Sequence, residues 1–375
     1  MNVLLWLVAA GYLLHAATVL RAALAVPRLP AALPGPAPSV SIVVAMRDEA
    51  RDAEAAVRGF LAQRDVDLEL IVADDRSRDA TSEVLARLAA AEPRLRVVTI
   101  RALPQGWLGK CHALHVAGAA ARGEWLLFSD ADQRLVPDAV RRAVDAARAS
   151  GADHLVLAPN HAPTTPLGRA CLLAFRAALV RQMDLANRDH PRGFLGVGAF
   201  NLVRARTWRA VGGHARLRME VLEDVGLALL LRTAGFRTRA YDGAAESVVD
   251  WGGTPRALLQ VLEKNGIALL RYQDWLAVAA GVAMPGVWLA AWAGPFLGGA
   301  AGWAAFAGLC SAALPAALLA RRLGWQPWLA CLVPLAVLLP TLALLRSWLL
   351  ARRRGGVRWR DTFYPLAELR RGRAW

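Results

Sequence analysis

Residues 124–132 read EWLLFSDAD, an apolar run that stops abruptly at two aspartates one residue apart, Asp130 and Asp132. Taken alone, an acidic strand end is a turn or a helix cap. Its meaning depends on the runs around it. Upstream, SVSIVVAM (39–46) is a short β-branched run followed by a helical stretch from Glu49 to about Gln63. LELIVADD (68–75) is a second strand with a helix from about Ala80 to Ala91 behind it, and LRVVTI (95–100) and DHLVLAP (153–159) are further strands. Short strands separated by longer helices predict an α/β domain with a mainly parallel sheet. In such sheets ligands bind just beyond the carboxyl ends of the strands. Three ends here are charged, at Arg47-Asp48-Glu49, Asp74-Asp75 and Asp130-Ala131-Asp132, and one sheet edge would gather all three.

Other segments add chemistry to that edge. In ADDRSRDAT (73–81), Asp79 or Thr81 caps the next helix, while Asp75 is left to accept hydrogen bonds from a nucleoside. GWLGKCHAL (106–114) is too short for a P-loop, yet Lys110 precedes a helix and could reach a phosphate near its N-terminus. Glu223 and Asp224 open an amphipathic helix in RMEVLEDVGLALLLRTAGF (218–236). They either favour the helix N-terminus electrostatically or supply a general base. GFLGVGAFN (193–201) is a tight turn or a place where backbone approaches a ligand.

The net charge of +15 raises nucleic acid as a partner, but all basic residues except Lys110 and Lys264 are arginine, and many flank apolar segments, as in ARRRGG and LRRGR. A basic collar facing anionic lipid headgroups is the simpler reading, with no nucleic acid involved. Cys111, Cys171, Cys310 and Cys331 form no CxxC pair and read as buried thiols in a reducing compartment, without a metal or disulfide role.

With 56% hydrophobic residues distributed unevenly, the chain reads as a globular domain between membrane segments. Residues 1–26 form an N-terminal anchor. A cleavable signal peptide is the competing reading, but no positive charge precedes the apolar run, and Arg21 and Arg28 follow it. The positive-inside rule then places the domain in the cytoplasm. Residues 27–38 form a Pro-rich spacer, 39–272 the α/β domain, 273–350 a membrane region and 351–375 a basic cytoplasmic tail. Within the membrane region, 276–297 and 299–320 read as two spans. The stretch 328–350, with Pro334 and Pro340, reads as a re-entrant hairpin or a kinked interfacial helix, and the parity of crossings stays open.

The ordered set VVAMRDEA, VADDRSRDAT, GWLGKCHAL, FSDAD and LEDVGL, over roughly 38–272, resembles inverting family 2 glycosyltransferases with a GT-A fold. It most resembles their membrane-bound branch acting on lipids, including hopanoid-associated and ceramide-glucosyltransferase-like members. That resemblance implies an inverting hexosyltransferase with a nucleotide-sugar donor, usually a UDP-sugar, a membrane lipid acceptor and a divalent cation, Mg²⁺ or Mn²⁺. It implies that Ala45, Glu49 and Asp75 contact the nucleoside, that Lys110 lies near the donor and Asp130 near the ribose or sugar, and that Asp132 ligates the metal. Asp224, with Glu223 beside it, takes the part of catalytic base, and Gly196 and Gly198 line the donor and acceptor loop. The implied setting is a multi-pass protein of the inner membrane with its catalytic domain on the cytoplasmic side. One departure stands out. The Gln-x-x-Arg-Trp motif of processive polysaccharide synthases is missing from RALLQVLEKNGIALLRY (256–272), which offers Gln260, Lys264, Asn265 and Arg271-Tyr272 instead. Lys264 or Arg271 is the candidate substitute for its positive charge. A processive synthase and an inactive membrane scaffold are the rival readings.

Overall fold

A computed structural model describes residues 2–162, 165–250, 265–297, 299–359 and 361–373. The chain divides into two compact units. The α/β unit comprises Pro27–His161 and Leu185–Asp250, with the chain from Arg371. Its strands β1 (Ser39–Met46), β2 (Asp67–Asp75), β3 (Leu95–Ile100), β4 (Trp125–Ser129), β6 (His154–Ala158), β8 (Asn201–Arg204) and β9 (Thr238–Asp242) form one sheet in the order β3-β2-β1-β4-β8-β6-β9. All pairings are parallel except those of β8, which runs against both neighbours. A small second sheet joins β5 (Arg134–Leu135), β7 (Asn160–His161) and β10 (Ser247–Val249). The mainly parallel α/β expectation holds. The reversed β8 and the small sheet come from segments too short for a periodic signal.

β1 is buried almost throughout, as expected of a central parallel strand with layers on both faces. On one face Ile42, Leu70, Leu127 and Trp125 pack with Val57 and Phe60 of α2 (Ala53–Leu61), Leu85 of α3 (Thr81–Ala91) and Val140 and Val144 of α5 (Ala139–Ala149). On the other, Val43, Ile71 and Leu126 pack with Ala113, Leu114 and Ala117 of α4 (Gly109–Ala120), Trp208 of α7 (Ala205–Ala210) and Leu227 and Leu231 of α8 (Glu223–Thr233). The alternation along each strand sends neighbouring residues into opposite layers.

Two expectations need correction. The helix expected from Glu49 starts at Ala53, because the Glu49 and Ala50 amides donate to Thr81 Oγ1 and Asp79 Oδ2 at 2.8 and 3.0 Å, holding those residues in the loop. The Pro-rich stretch 27–38, expected as a spacer, is docked on α5. Arg141 donates to the carbonyls of Leu33, Gly35 and Pro36, and Arg142 to those of Leu29 and Pro30. A Pro-rich segment is poor in N–H donors, and these two arginines of α5 satisfy the carbonyls it leaves over.

The second unit comprises Met1–Val26, Ala162–Asp184 and Trp251–Arg370. Most of helix α6 (Pro166–Asn187), which lies within the 39–272 stretch, therefore belongs with the apolar helices. Asn2–Ala25 (α1), Asp274–Leu297 (α9) and the stretch Gly299–Arg322, made of α10 (Gly299–Cys310) and α11 (Ala313–Arg322), are long and apolar enough to cross a membrane. Pro327–Ala336, which includes α12 (Val333–Ala336), and α13 (Leu338–Arg354) form a pair bent by 41°. Close glycine contacts pack α9 on α10 at Gly294 and Gly302, and Gly308 of α10 on Ala9 of α1. Helices α12 and α13 run back along α9: Trp288 Nε1 donates to the Pro334 carbonyl of α12 at 2.6 Å, while in α13 Leu345 lies at Gly281 and Trp348 donates to Asp274 at 2.8 Å. Arg352 also pairs with Asp274, and Arg322 donates to the Val26 carbonyl at 3.0 Å. A hairpin of β11 (Gly356–Trp359) and β12 (Thr362–Pro365) follows, then α14 (Leu366–Arg371). Cys111 and Cys171 are buried as expected, whereas Cys310 is half-buried and Cys331 exposed.

Candidate active site

Register brings the charged strand ends together. Ala45 of β1 pairs with Ala73 of β2, and Ser129, the last residue of β4, pairs with Val44. Asp75 and Asp130 thus flank the end of β1 near Ala45. The twin aspartates of β2 separate because successive side chains face opposite ways. Asp74, 1% exposed, accepts from the Ser82 hydroxyl of α3 and is structural. Asp75 faces the first turn of α4, and its two oxygens accept from Arg76 Nε and Nη2 at 2.7 and 2.9 Å. The loops after β1 and β2 are tied to each other. The Asp48 amide donates to Ser77 Oγ at 3.1 Å, the Arg78 amide to Asp48 Oδ1 at 2.7 Å, and Asp48 and Arg76 both adopt left-handed backbone, φ 52° and 59°. Asp79 and Thr81, expected as caps, instead accept the Ala50 and Glu49 amides, and Asp79 Oδ1 also accepts the Thr81 amide at 3.0 Å, while Ala80 stands at the cap position of α3.

The Glu223–Asp224 pair closes the other side. Lys110 Nζ lies 2.6 Å from Asp130 Oδ1 and 2.6 Å from Glu223 Oε1. Glu223 is 4% exposed, so the lysine compensates a carboxylate that would otherwise be buried alone. Removing one partner of such a pair typically costs about 3–5 kcal/mol. The loop through Gly196 and Gly198 passes beside it. A Cβ on Gly196 would overlap the Asp224 carbonyl, and one on Gly198 would lie 2.9 Å from Asp130 Oδ2 and 3.6 Å from Asp224 Oδ2. The loop is glycine-rich because its backbone lies against these acids.

The electrostatics follow from crowding. Burial, then the Asp130 charge, pushes the Asp132 carboxyl up to about 7, with Glu49 adding to the effect and Lys110 opposing it. Burial, then Glu223, pushes Asp224 up to about 6, again against Lys110. Burial works to lower the Lys110 ammonium, but Asp130 and Glu223 overcome it and hold it well above its ordinary value. Among the described residues Lys110 is thus the cation that offsets Asp132 and Asp224 and pairs with Asp130 and Glu223, so carboxylates outnumber it there. An all-oxygen donor set short of positive charge fits a hard divalent ion such as Mg²⁺ or Mn²⁺. Among the described residues no three His, Cys, Asp or Glu side chains could hold a metal by themselves. A cation at Asp132 would thus draw further ligands from a bound molecule, as a diphosphate provides.

Ala45, Glu49, Asp75, Lys110, Asp130, Asp132, Gly196, Gly198, Glu223 and Asp224 all belong to the α/β unit. Arg271 lies in the apolar-helix unit with φ 53°, while Gln260 and Lys264 lie outside the described residues. Sequence reasoning missed Arg76, which covers Asp75, and the partners of Trp107. That ring carries the Arg218 guanidinium 5.1 Å from its centroid and packs on His112 and His115 at 5.3 and 5.2 Å. No spacing in the chain links 107 to 218, although an aromatic residue beside Gly106 marks a loop with something to cover.

Residues 41–204 match the family model described as Glycosyl transferase family 2. The chain is 37% identical over 115 residues to the succinoglycan biosynthesis protein ExoO of Rhizobium meliloti (strain 1021), which covers 31% of each chain. It is 21% identical over 208 residues to a 4,4'-diaponeurosporenoate glycosyltransferase of Staphylococcus haemolyticus (strain JCSC1435), covering 55% of this chain and 54% of that one. The chain thus spans about a third of the length of the first relative and about half of the second. Among solved structures, the mannosyltransferase PcManGT from Pyrobaculum calidifontis, in complex with GDP-Man and Mn²⁺, aligns over 91% of this chain and 99% of its own with a TM-score of 0.55 and 19% identity, a likeness of fold. The family model thus falls on the part of the α/β unit that carries most of the motif set, and the solved structure shares the fold.

Proposed function

We propose that the chain is a metal-dependent inverting glycosyltransferase that moves one sugar from a nucleotide-sugar to the hydroxyl of a membrane lipid. The observation that carries this reading is the convergence of Asp130, Asp132, Lys110, Glu223 and Asp224 at the carboxyl edge of the parallel sheet, beside the Gly198 backbone. The roles divide by position. Ala45, Glu49 and Asp75 face the nucleoside, Asp75 exchanging its bond from Arg76 for one from the base. Asp130 takes the ribose or sugar, and Asp132 holds the cation. When bound, that cation offsets the charge that develops on the departing nucleoside diphosphate. Asp224 accepts the proton of the acceptor hydroxyl as its oxygen attacks the anomeric carbon from the face opposite the leaving group. One base and one displacement invert the anomeric configuration. Gly196 and Gly198 let substrate lie close to both acids.

Support for a lipid acceptor is chemical. An acceptor with a large apolar body stays in the bilayer, and the α/β unit is continuous in sequence with apolar helices before and after it. Arg21, Arg28, Arg321 and Arg322 favour the inner membrane with the α/β unit on the cytoplasmic side. The ExoO likeness favours a second reading, extension of a polysaccharide, which the missing Gln-x-x-Arg-Trp motif opposes. Product analysis in membranes separates the two. A single labelled sugar extracted into the organic phase is expected, and a water-soluble polymer would support extension instead. UDP is the nucleotide implied by the resemblance, and the GDP-Man complex of the mannosyltransferase keeps GDP in the assay panel.

A further inference from the structure

The first turn of α4 touches every wall of the site. The Leu108 amide donates to the Arg218 carbonyl at 2.7 Å. Gly109 abuts the Asp75–Arg76 pair so closely that a Cβ would lie 2.5 Å from Asp75 Oδ2 and 2.6 Å from Arg76 Nη2. Lys110 reaches Asp130 and Glu223. Cys111 Sγ lies 3.3 Å from the Glu220 carbonyl it donates to. Four consecutive residues thus meet the nucleoside side, the acid pair after β4 and, through Arg218, Glu220 and Glu223, the segment that carries Asp224. The Trp107 ring adds a fifth tie by packing against Arg218.

Resting on the function proposed above, we propose that Lys110 is a positioning residue rather than a donor ligand, clamping Glu223 to Asp130 so that neighbouring Asp224 is held against the Gly198 backbone. Two of the three ammonium protons are engaged at 2.6 Å, so one N–H remains for any ligand. Leaving Glu223 to bind a diphosphate would strand a carboxylate whose side chain is 6% exposed. The Asp224 carboxylate accepts its neighbour's amide, Val225 N–H to Oδ1 at 2.8 Å, which fixes one oxygen and leaves Oδ2 on the Gly198 side. The bridge between Lys110 and Glu223 is therefore what sets the first turn of α8 relative to Asp130. No contact to substrate is needed for this role.

The test uses the full chain in membranes or detergent with Mn²⁺ and a panel of UDP- and GDP-sugars. Lys110→Met should lower kcat about 100-fold while leaving donor KM, and the affinity for UDP or GDP with Mn²⁺ by titration calorimetry, within about threefold. Lys110→Arg, which can still bridge two carboxylates, should recover at least about tenfold of the loss. Glu223→Gln should give the same kcat pattern, and the double variant should be little worse than either single one, because both break one bridge. A rise of about tenfold or more in donor KM or nucleotide Kd with kcat kept would make Lys110 a donor ligand and overturn the proposal. So would losses that multiply in the double variant. Wild-type protein inactive with every nucleotide-sugar would defeat the functional reading and this one together, whereas the Lys110 outcomes defeat this one alone.

Discussion

Asp224 and Asp132 carry the same functional group, and their surroundings give each a distinct dependence on pH. Asp224 is lifted from 3.8 to about 6, first by burial and then by Glu223. A general base must be ionised, so kcat/KM should fall about tenfold per pH unit below about 6, where the free enzyme protonates. The sign for stability is the reverse of the usual salt-bridged acid. The folded chain holds this proton more tightly than the unfolded one, so stability falls as pH rises from about 3.8 to about 6, and above about 6 the full cost of the buried, ionised Asp224 is present. Asp224→Asn at pH 7.5 should therefore lose about 10²–10⁴ in rate with an unchanged or raised Tm. A lowered Tm would mark the aspartate as structural instead. Asp132, lifted to about 7, must lose a proton to bind a cation. The half-saturating Mn²⁺ concentration should accordingly rise as pH drops below about 7, and Asp132→Ala should abolish the Mn²⁺ dependence. A Mn²⁺ requirement that is flat with pH would remove Asp132 from the metal.

At the scale of elements, the loop at Gly196 and the helix α2 make a matched pair of tests. Gly196→Ala would drive a methyl group into the Asp224 carbonyl, so we expect loss of transfer and a stability cost of about 1–3 kcal/mol. Gly59→Ala sits in helix α2 with open space around the new Cβ and should stabilise by about 0.5–1 kcal/mol with activity intact. Thermal melts beside activity assays check both. The strands around this loop were readable because SVSIVVAM, LELIVADD and EWLLF are short apolar runs followed closely by charged residues, and a central strand covered on both faces needs such a run. Asp75, Asp130 and Asp132 followed from those ends. What the chain hid was pairing across distance: Arg76 folding back on Asp75, Lys110 bridging Asp130 and Glu223, and arginines of α5 binding the proline-rich stretch. A linear pattern records which residues are charged, while their partners are chosen by how the loops meet.

For the molecule as a whole, the contacts within the apolar-helix unit bear on membrane topology. Asp274 at the start of α9 meets Trp348 and Arg352 at the end of α13, so the two ends share one level. Between them, Pro334 meets Trp288, about 20 Å along α9 at 1.5 Å per residue. These contacts make a re-entrant path the expectation for the bent pair Pro327–Ala336 and Leu338–Arg354, against a single broken span. Single cysteines placed at Arg321 and Arg353 in a cysteine-free background should be labelled by an impermeant maleimide from the same side, and one at Phe296 from the opposite side. Labelling of Arg321→Cys and Arg353→Cys from opposite sides would mean a full crossing.

The most direct test of sugar transfer by the acid cluster compares wild-type membranes with Asp224→Asn membranes. Both would receive radiolabelled UDP- and GDP-sugars with Mn²⁺, and label would be counted in the lipid extract. Label in the wild-type extract from at least one donor, reduced at least about 100-fold by Asp224→Asn, is the expected result. Equal lipid labelling in the two preparations would contradict the assignment of Asp224 as the base.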